Sequence, residues 1–162
     1  MIRVLFVCMG NICRSPMAQG VLEQRLREEG MADEVAVDSA GTHAYHRGEP
    51  PDPRAIAAAR ARGLDITTLR ARPFRDDDYL EFDLILAMDE DNHARLERAC
   101  PPRQRHKLHL ALDFAPELTE REVPDPYYGA GDGFEKVLDM LELSMEGLVD
   151  ELSDRLHGSV AL

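Results

Sequence analysis

The sequence of 162 residues predicts an α/β fold, in which a four-stranded parallel sheet is flanked by helices on both faces within one domain, residues 1–162. Two observations support this fold class. Short apolar runs, such as residues 2–7 (IRVLFV) and 83–88 (DLILAM), are typical of strands buried on both faces. Segments with helical spacing lie between these runs, and strands that alternate with helices indicate a parallel sheet.

The first helix and the second strand follow the first apolar run. Residues 15–29 (SPMAQGVLEQRLREE) place apolar side chains on one side of a helix and charged side chains on the other. Ser15 followed by Pro16 suits the start of this helix, because proline is tolerated in the first turn. Residues 34–38 (EVAVD) alternate between apolar and polar side chains and favour a strand.

The second helix has signals at both of its ends. Residues 52–62 (DPRAIAAARAR) are rich in helix-forming alanine and arginine. Asp52 is the expected N-cap, Pro53 the first helical residue and Gly63 the residue that ends the helix.

The second half of the chain repeats the alternation. After the strand at residues 83–88, a helix is predicted near residues 90–99 (EDNHARLERA) and a fourth strand over residues 107–112 (KLHLAL). A long amphipathic helix over residues 132–156 closes the chain. Ligands of such sheets bind beyond the carboxyl ends of the strands, so the turn over residues 8–15 is the expected site.

Composition excludes several classes of partner. The net charge of −12 argues against nucleic acid, because a phosphate backbone requires a basic face. No apolar run approaches the roughly 18 residues of a membrane span, and the N-terminal run is too short for a secretory signal. We therefore expect a cytoplasmic protein without a membrane partner. The 3 cysteines do not suggest a disulfide framework, and the spacing of Cys8 and Cys13 is unlike that of zinc ligands, so no metal is expected.

The turn after the first strand has the pattern C-x5-R-S, from Cys8 to Ser15. A short loop that leads into a helix directs several backbone N–H groups at one point, which creates an anion-binding site. Gly10 and Asn11 tolerate the left-handed backbone that such a tight loop requires. Arg14 can bind two phosphate oxygens at once. The expected phosphate-binding residues are thus Met9, Gly10, Asn11, Ile12, Cys13, Arg14 and Ser15.

Cys8 lies at the mouth of the same loop. The helix dipole and Arg14 both favour its thiolate, and a thiolate that faces a bound phosphate is a nucleophile for covalent phosphoryl transfer. Ser15 can donate a hydrogen bond to this thiolate and ease its departure. Taken alone, however, a cysteine is more often an inert buried residue.

Residues 4–19 (VLFVCMGNICRSPMAQ) resemble the signature of the low-molecular-weight protein tyrosine phosphatases. The resemblance continues in the same order through residues 38–42, 51–54, 82–83, 88–89 and 123–127. It implies a four-stranded parallel sheet and a reaction without metal or other cofactor. It also implies roles for Cys8 as nucleophile, Arg14 as phosphate ligand and Asp125 as general acid.

Of all the assigned roles, that of the general acid depends most on the family resemblance. A phosphatase needs an acid for the leaving tyrosyl oxygen and then a base for water, and one carboxyl group can serve both steps in turn. Pro124 and Pro126 restrict the backbone on either side of Asp125. Pro-Asp-Pro is also an ordinary surface turn, and Asp132 is the fallback candidate.

Four aromatic or imidazole side chains are expected to form the substrate rim. Tyr127 and Tyr128 are predicted to wall a slot for an aromatic ring, although packing is the plainer interpretation. Tyr45 resembles the variable aromatic residue of the family on the opposite wall, and His46 beside it is expected to tune substrate choice. Ser39 resembles the family serine that bonds the loop asparagine, Asn11.

One feature of the family is altered in this chain, and a second feature has two possible interpretations. Residues 69–73 (LRARP) lack the His and Gln of the family's His-x-Ala-Arg-Gln stretch, so part of the support of the loop must differ. The resemblance implies that Cys13 forms a reversible disulfide with Cys8 on oxidation. The alternative is that Cys13 is a small apolar residue packed under the loop.

Three rival functions remain. Arsenate reductases on this fold use a downstream cysteine pair, whereas only Cys100 lies downstream here. Phosphoarginine phosphatases carry Thr where Ile12 stands. A module that only binds anions or phosphopeptides would not need both a thiol and the Asp-Pro-Tyr segment. The expected partner is a phosphotyrosine-containing protein, with a tyrosine kinase as one candidate.

Overall fold

A computed structural model describes residues 1–129 and 131–158. Within these residues, four parallel strands form one sheet in the order β2-β1-β3-β4, so the predicted fold class is confirmed. The strands are β1 (Ile2–Cys8), β2 (Val35–Gly41), β3 (Leu84–Ala87) and β4 (Leu108–Leu110). The α-helices are α1 (Arg14–Glu28), α2 (Pro53–Ala61), α3 (Asp78–Glu81), α4 (Glu90–Ala99) and α5 (Gly133–His157), with 3-10 helices at Pro102–Lys107 and Ala111–Phe114.

Both faces of the sheet are buried, as the continuous apolar runs predict. Val4 and Phe6 of β1 belong to the core that α1, α2 and α5 cover. Leu5 and Val7 point to the opposite face and belong to the core that α3 and α4 cover. Because successive residues of a strand face opposite sides, a strand with two buried faces shows no polar alternation.

Most element ends agree with the predictions, and the differences have local causes. Asp52 caps α2 by accepting a hydrogen bond from the backbone N–H of Arg54 at 2.8 Å, and Gly63 follows α2 with a φ of 80°. The prediction of a strand over residues 107–112 was too long. Asp113 accepts a hydrogen bond from the Leu110 backbone N–H at 3.0 Å, which turns the chain into a 3-10 helix after Leu110.

The register of the sheet brings three strand ends together. Cys8 at the end of β1 pairs with Gly41 at the end of β2, and Val7 pairs with Ala87 at the end of β3. The polar residue Asp89 follows β3 at the same edge. This edge therefore collects side chains that are far apart in sequence. None of the described helices has the length and apolar character that a membrane span requires.

Candidate active site

A cleft of about 170 Å³ opens at the carboxyl end of β1. Three separate segments line it: the 8–15 loop, residues 45–46 and the 123–129 segment. The sequence predicted every lining residue, namely Cys8, Met9, Gly10, Ile12, Cys13, Arg14, Tyr45, His46, Asp125, Tyr127 and Tyr128. The other predicted residues, Asn11, Ser15 and Ser39, are buried and do not line the cleft.

These three buried side chains form a hydrogen-bond chain that ends at the Cys8 sulfur. Asn11 Nδ2 donates to Ser39 Oγ at 2.9 Å and to Ser15 Oγ at 2.8 Å. Ser15 Oγ lies 3.0 Å from Cys8 Sγ, and the Asn11 backbone N–H donates to the same sulfur at 3.3 Å. The Cys8 sulfur therefore has two polar neighbours, the Ser15 hydroxyl and the Asn11 backbone N–H, that can donate hydrogen bonds to it.

The two predicted left-handed residues of the loop behave differently. Asn11 has a φ of 59°, a left-handed conformation that asparagine adopts more readily than most residues. Gly10, which was expected to tolerate the same conformation, does not adopt it and is not among the residues with positive φ. A Cβ at Gly10 would lie 3.0 Å from Cδ2 of His46, so the His46 side chain would have to shift to admit a larger residue.

The start of α1 also differs from the prediction. The helix begins at Arg14 rather than Ser15, and Cys13 is its N-cap without a side-chain capping bond. The Ser15 hydroxyl is bound to Asn11 and Cys8 instead of a helix N–H. The serine that suggested a helix start therefore belongs to the site.

Arg14 is buried beside the cleft and held by groups from two other segments. Its Nη1 donates to Asp89 Oδ2 at 2.6 Å and to the Val123 carbonyl oxygen at 3.0 Å, while Nη2 lies 3.6 Å from Asp125 Oδ2. Burial disfavours the charge of Arg14, but Cys8, Asp89 and Asp125 outweigh this effect and raise the pKa of the guanidinium. Two hydrogens of Nη1 are thus occupied, and the remaining donors can bind an anion in the cleft.

Asp89 is a site residue that the sequence interpretation did not assign. It appeared only as part of the family resemblance, although it follows a buried strand at the ligand-binding edge of the sheet. That position, rather than its local sequence, is the signal that could have identified it. Asp89 Oδ1 also accepts from the Asn92 backbone N–H at 2.8 Å, so it caps α4 while Oδ2 orients Arg14.

Asp125 lies in the cleft wall, whereas Asp132 does not. The Asp125 side chain is 29% exposed, and its Oδ1 accepts from the Tyr127 backbone N–H at 3.0 Å. The Asp132 side chain is 71% exposed and lies 3.6 Å from Nζ of Lys136 on α5. A carboxyl group must approach the leaving oxygen to protonate it, and this geometry favours Asp125.

Arg54 connects the second helix to the 123–129 segment. Its guanidinium binds Asp52, with a shortest distance of 2.9 Å, and donates to the Tyr127 carbonyl oxygen at 3.2 Å. It also lies over the rings of Tyr127 and Phe134, at 5.4 Å and 4.9 Å from their centroids. The side-chain hydrogen bond from Arg54 is the main cause of a lowered pKa for Asp52. The sequence interpretation saw Asp52 only as a helix cap.

Aromatic and imidazole rings form the rim of the cleft. Tyr45 and Tyr128 are largely exposed, and Tyr45 stacks on His43 with 5.0 Å between centroids. His46 Nδ1 lies 2.7 Å from Glu49 Oε2, and the ring centre lies 6.3 Å from that of Tyr127. Tyrosine rings on both sides of the opening can pack against the faces of an aromatic substrate group.

The three cysteines are buried and unpaired by disulfides in the described structure. Burial, with smaller contributions from Asp52 and Cys8, raises the pKa of the Cys13 thiol far above its usual value. Cys100 belongs to the core on the opposite face of the sheet from Cys8 and Cys13. Over residues 1–129 and 131–158, no group of His, Cys, Asp and Glu side chains is arranged to hold a metal ion.

Comparisons with known proteins identify relatives of this chain. The family model described as low molecular weight phosphotyrosine protein phosphatase matches residues 3–157. The chain is 40% identical to a low molecular weight protein-tyrosine-phosphatase of Streptomyces coelicolor, over 98% of each chain. A crystal structure of a protein tyrosine phosphatase from Entamoeba histolytica superposes with a TM-score of 0.92 and 38% identity, covering 96% of this chain and 99% of the other.

A solved structure with a different printed activity is also similar. A Drosophila arginine phosphatase superposes with a TM-score of 0.87 at 30% identity, covering 93% of this chain and 98% of the other. The same fold therefore carries more than one phosphatase specificity, and the cleft residues of each chain must decide between them.

Proposed function

The chain belongs to the low molecular weight phosphotyrosine protein phosphatases, and we propose that it hydrolyses protein phosphotyrosine through a phosphocysteine intermediate on Cys8. One observation carries the proposal. The Cys8 sulfur, with hydrogen-bond donors from Ser15 and Asn11, shares a single cleft with the Arg14 guanidinium and the Asp125 carboxyl group.

In the first step, the substrate phosphate binds to the free donors of Arg14 and to backbone N–H groups of the 8–15 loop. The Cys8 thiolate attacks phosphorus, and the bond between phosphorus and the tyrosyl oxygen breaks. Asp125 in its acid form gives its proton to that oxygen, so tyrosine leaves as a neutral phenol.

In the second step, the Asp125 carboxylate takes a proton from water, and the water oxygen attacks phosphorus. The bond between phosphorus and sulfur breaks, which releases phosphate and restores the Cys8 thiolate. The Ser15 hydroxyl, 3.0 Å from the sulfur, stabilises the departing thiolate by a hydrogen bond. Asp125 is then protonated for the next cycle, and no metal ion is needed at any step.

The walls of the cleft support an aryl phosphate as substrate. Tyr45, Tyr127 and Tyr128 surround the opening, and Ile12 lies in its lining. A phosphoarginine substrate is the second candidate, favoured by the similarity to the Drosophila arginine phosphatase. Ile12 supports phosphotyrosine instead, because phosphoarginine phosphatases carry Thr at the corresponding position. Arsenate reduction is disfavoured, since Cys100 lies in the opposite core.

The remaining expectations from the sequence stay proposals. The family match over residues 3–157 supports a single phosphatase domain over the 162 residues. A phosphotyrosine-containing protein is the proposed partner, and a tyrosine kinase as that partner stays a prediction. Location in the cytoplasm also stays a prediction.

A substrate panel tests the proposal. Purified protein would be assayed on peptides with phosphotyrosine, phosphoserine or phosphoarginine, and on arsenate with a thiol reductant. We expect phosphotyrosine to give the highest kcat/KM by at least about tenfold, which corresponds to about 1.4 kcal/mol of transition-state discrimination. Cys8→Ser, prepared in the same way, controls for a contaminating phosphatase. Faster turnover of phosphoarginine, or reduction of arsenate, would reject this assignment.

A further inference from the structure

A second cavity, a groove of about 460 Å³, lies beside the cleft and takes no part in the mechanism above. Three elements contribute to it, namely α2, the 123–129 segment and the start of α5. Its lining includes Arg54, Ala57, Ala58, Pro126, Phe134 and Glu135. Because the 123–129 segment lines both cavities, the groove and the cleft are neighbours on one surface.

The ring of Tyr127 stands between the two cavities. Tyr127 lines the cleft, whereas Arg54 lines the groove. The guanidinium carbon of Arg54 lies 5.4 Å from the centre of the Tyr127 ring, and Arg54 Nη2 donates to the Tyr127 carbonyl oxygen at 3.2 Å. The near end of the groove is therefore separated from the cleft by a single aromatic side chain.

This separation matches the spacing of side chains along an extended peptide. Successive residues of an extended chain are about 3.3–3.6 Å apart, and their side chains alternate between two sides. When a phosphotyrosine points into the cleft, the side chains two positions away also point toward the protein, about 7 Å along the chain. One of them can thus reach past the Tyr127 ring into the groove.

The charges of the groove favour an uncharged side chain. Arg54 is bound by Asp52 at 2.9 Å, and Glu135 is bound by Arg62 at 2.7 Å. An acidic side chain in the groove would compete with Asp52, and a basic one would compete with Arg62. The net charge of −12 further disfavours an acidic peptide.

The rest of the lining offers apolar surface. Ala58 and Phe134 are buried below the groove, Pro126 is buried in its wall, and Ala57 is exposed in it. Contact with an apolar side chain would remove this surface and its own from water, which is favourable. The lining therefore suits an apolar side chain better than a charged one.

We propose that this groove is a substrate subsite, which binds an apolar side chain two residues from the phosphotyrosine. The inference rests on the proposed function, because it takes a phosphotyrosine-containing protein as the substrate. Contacts so far from phosphorus are the same before and during the reaction, so the subsite should lower KM for a peptide and leave kcat unchanged. A small aryl phosphate does not extend into the groove.

A peptide series on the wild type is the first test. Each peptide has one phosphotyrosine in an alanine background, with Leu, Glu or Lys two positions before or two positions after it. We expect Leu at one of these positions to lower KM about tenfold relative to Ala, and Glu and Lys to give no gain. Leu directly next to the phosphotyrosine is the control, since that side chain points away from the protein.

A blocked groove is the second test. Ala57 is exposed on α2, and glutamine there would fill the groove with a polar side chain without weakening the helix much. In Ala57→Gln, the ratio of kcat/KM for the preferred Leu peptide to kcat/KM for para-nitrophenyl phosphate should fall about tenfold. Ala61→Gln is the matched control, at an exposed alanine of the same helix outside the groove lining, and should keep the wild-type ratio.

The two tests separate this subsite from the proposed function. Equal KM values for all the peptides, or a larger gain from Glu or Lys, would overturn the subsite while turnover still supports a phosphotyrosine phosphatase. A wild-type ratio in Ala57→Gln would place the Leu preference outside the groove and overturn it as well. The wild-type series decides the matter if Ala57→Gln does not fold. No turnover of any phosphotyrosine peptide would reject the proposed function together with the subsite.

Discussion

The 8–15 loop and the 123–129 segment face each other across the cleft, yet they are held in opposite ways. In the loop, the polar side chains of Asn11, Arg14 and Ser15 are buried, and each has at least two partners. In the segment, Asp125 is partly exposed and Tyr128 is 78% exposed. The loop side chains are thus fixed by buried hydrogen bonds, whereas Asp125 and Tyr128 of the segment lie at the exposed rim of the cleft.

This difference separates two parts of the proposed chemistry. In the proposed mechanism, the loop binds phosphate and supplies the nucleophile, and every substrate shares these needs. The segment would serve the leaving group, which differs from one substrate to another. Changes in the loop should therefore affect all substrates alike, and changes in the segment should depend on the leaving group.

The largest effect is expected at the nucleophile. Cys8→Ser should abolish turnover of every aryl phosphate, because serine at this position is a much poorer nucleophile than a thiolate. Vanadate or phosphate should still bind, since Arg14 and the loop backbone remain. Steady-state assays with isothermal titration of vanadate check both points. Substantial residual turnover in Cys8→Ser would contradict the covalent mechanism.

The next largest effect is expected at the acid. Asp125→Ala should lower kcat by about 10²–10⁴ for substrates with poor leaving groups. Activated aryl phosphates should lose less, because their oxyanion leaves without a proton. The measurement is the dependence of log kcat on leaving-group pKa, with Asp132→Ala as the control. An equal loss for all leaving groups, or a leaving-group dependence in Asp132→Ala, would remove Asp125 from this role.

A smaller effect is expected from the contact that holds the segment. Arg54→Met removes the hydrogen bond to the Tyr127 carbonyl oxygen and the contact with two rings, so Asp125 should be held less firmly. We expect kcat to fall by about three- to tenfold, because a displaced catalytic group reacts more slowly. The loss should again be larger for substrates with poor leaving groups. Arg60→Met, at an exposed arginine of α2, is the control. A loss of equal size on activated substrates would indicate a general defect instead.

Substitution of Cys13 should have the smallest effect on turnover but a clear effect on the recovery of activity after oxidation. Peroxide should oxidise Cys8 first, and Cys13 can then displace water from the sulfenic acid to form a disulfide that thiols reduce. Because burial raises the pKa of Cys13, little of it is thiolate at neutral pH, and disulfide formation should accelerate as pH rises. Cys13→Ser should lose activity to peroxide as the wild type does and recover far less.

Peptide mapping decides between this protective disulfide and a merely packed Cys13. The oxidised wild type should yield a linked pair of peptides that contain Cys8 and Cys13. Cys100→Ser is the control, because Cys100 lies in the other core and should not alter recovery. Equal recovery of Cys13→Ser and wild type would exclude the disulfide.

The contrast between the two regions also explains how much the sequence could predict. The 8–15 loop is contiguous, and its strand, turn and helix signals lie within a few residues, so its position and its expected anion-binding chemistry could be predicted from local physics. The fold followed in the same way, from apolar runs of strand length. The role of Asp125 could not be separated from an ordinary Pro-Asp-Pro turn without the family resemblance.

Other parts of the site depend on contacts between distant segments. Asp89 and Arg54 contact partners that are 75 and 73 positions away in the sequence: Asp89 accepts a 2.6 Å hydrogen bond from Arg14, and Arg54 donates to the Tyr127 carbonyl oxygen. No local pattern marks them, because each is an ordinary charged residue next to a strand or helix end. The sheet register brings Asp89 to the site, and the contact of α2 with the 123–129 segment brings Arg54 there.

The most direct test of the central claim is to identify the residue that carries phosphate during turnover. Asp125→Ala would be mixed with an activated aryl phosphate, quenched in acid, digested and analysed by mass spectrometry. The first step needs no acid with this substrate, while the second step has lost its base, so the intermediate should accumulate. The mechanism predicts one phosphoryl group on the peptide that contains Cys8. Phosphate on another residue, or turnover with no covalent intermediate, would contradict it.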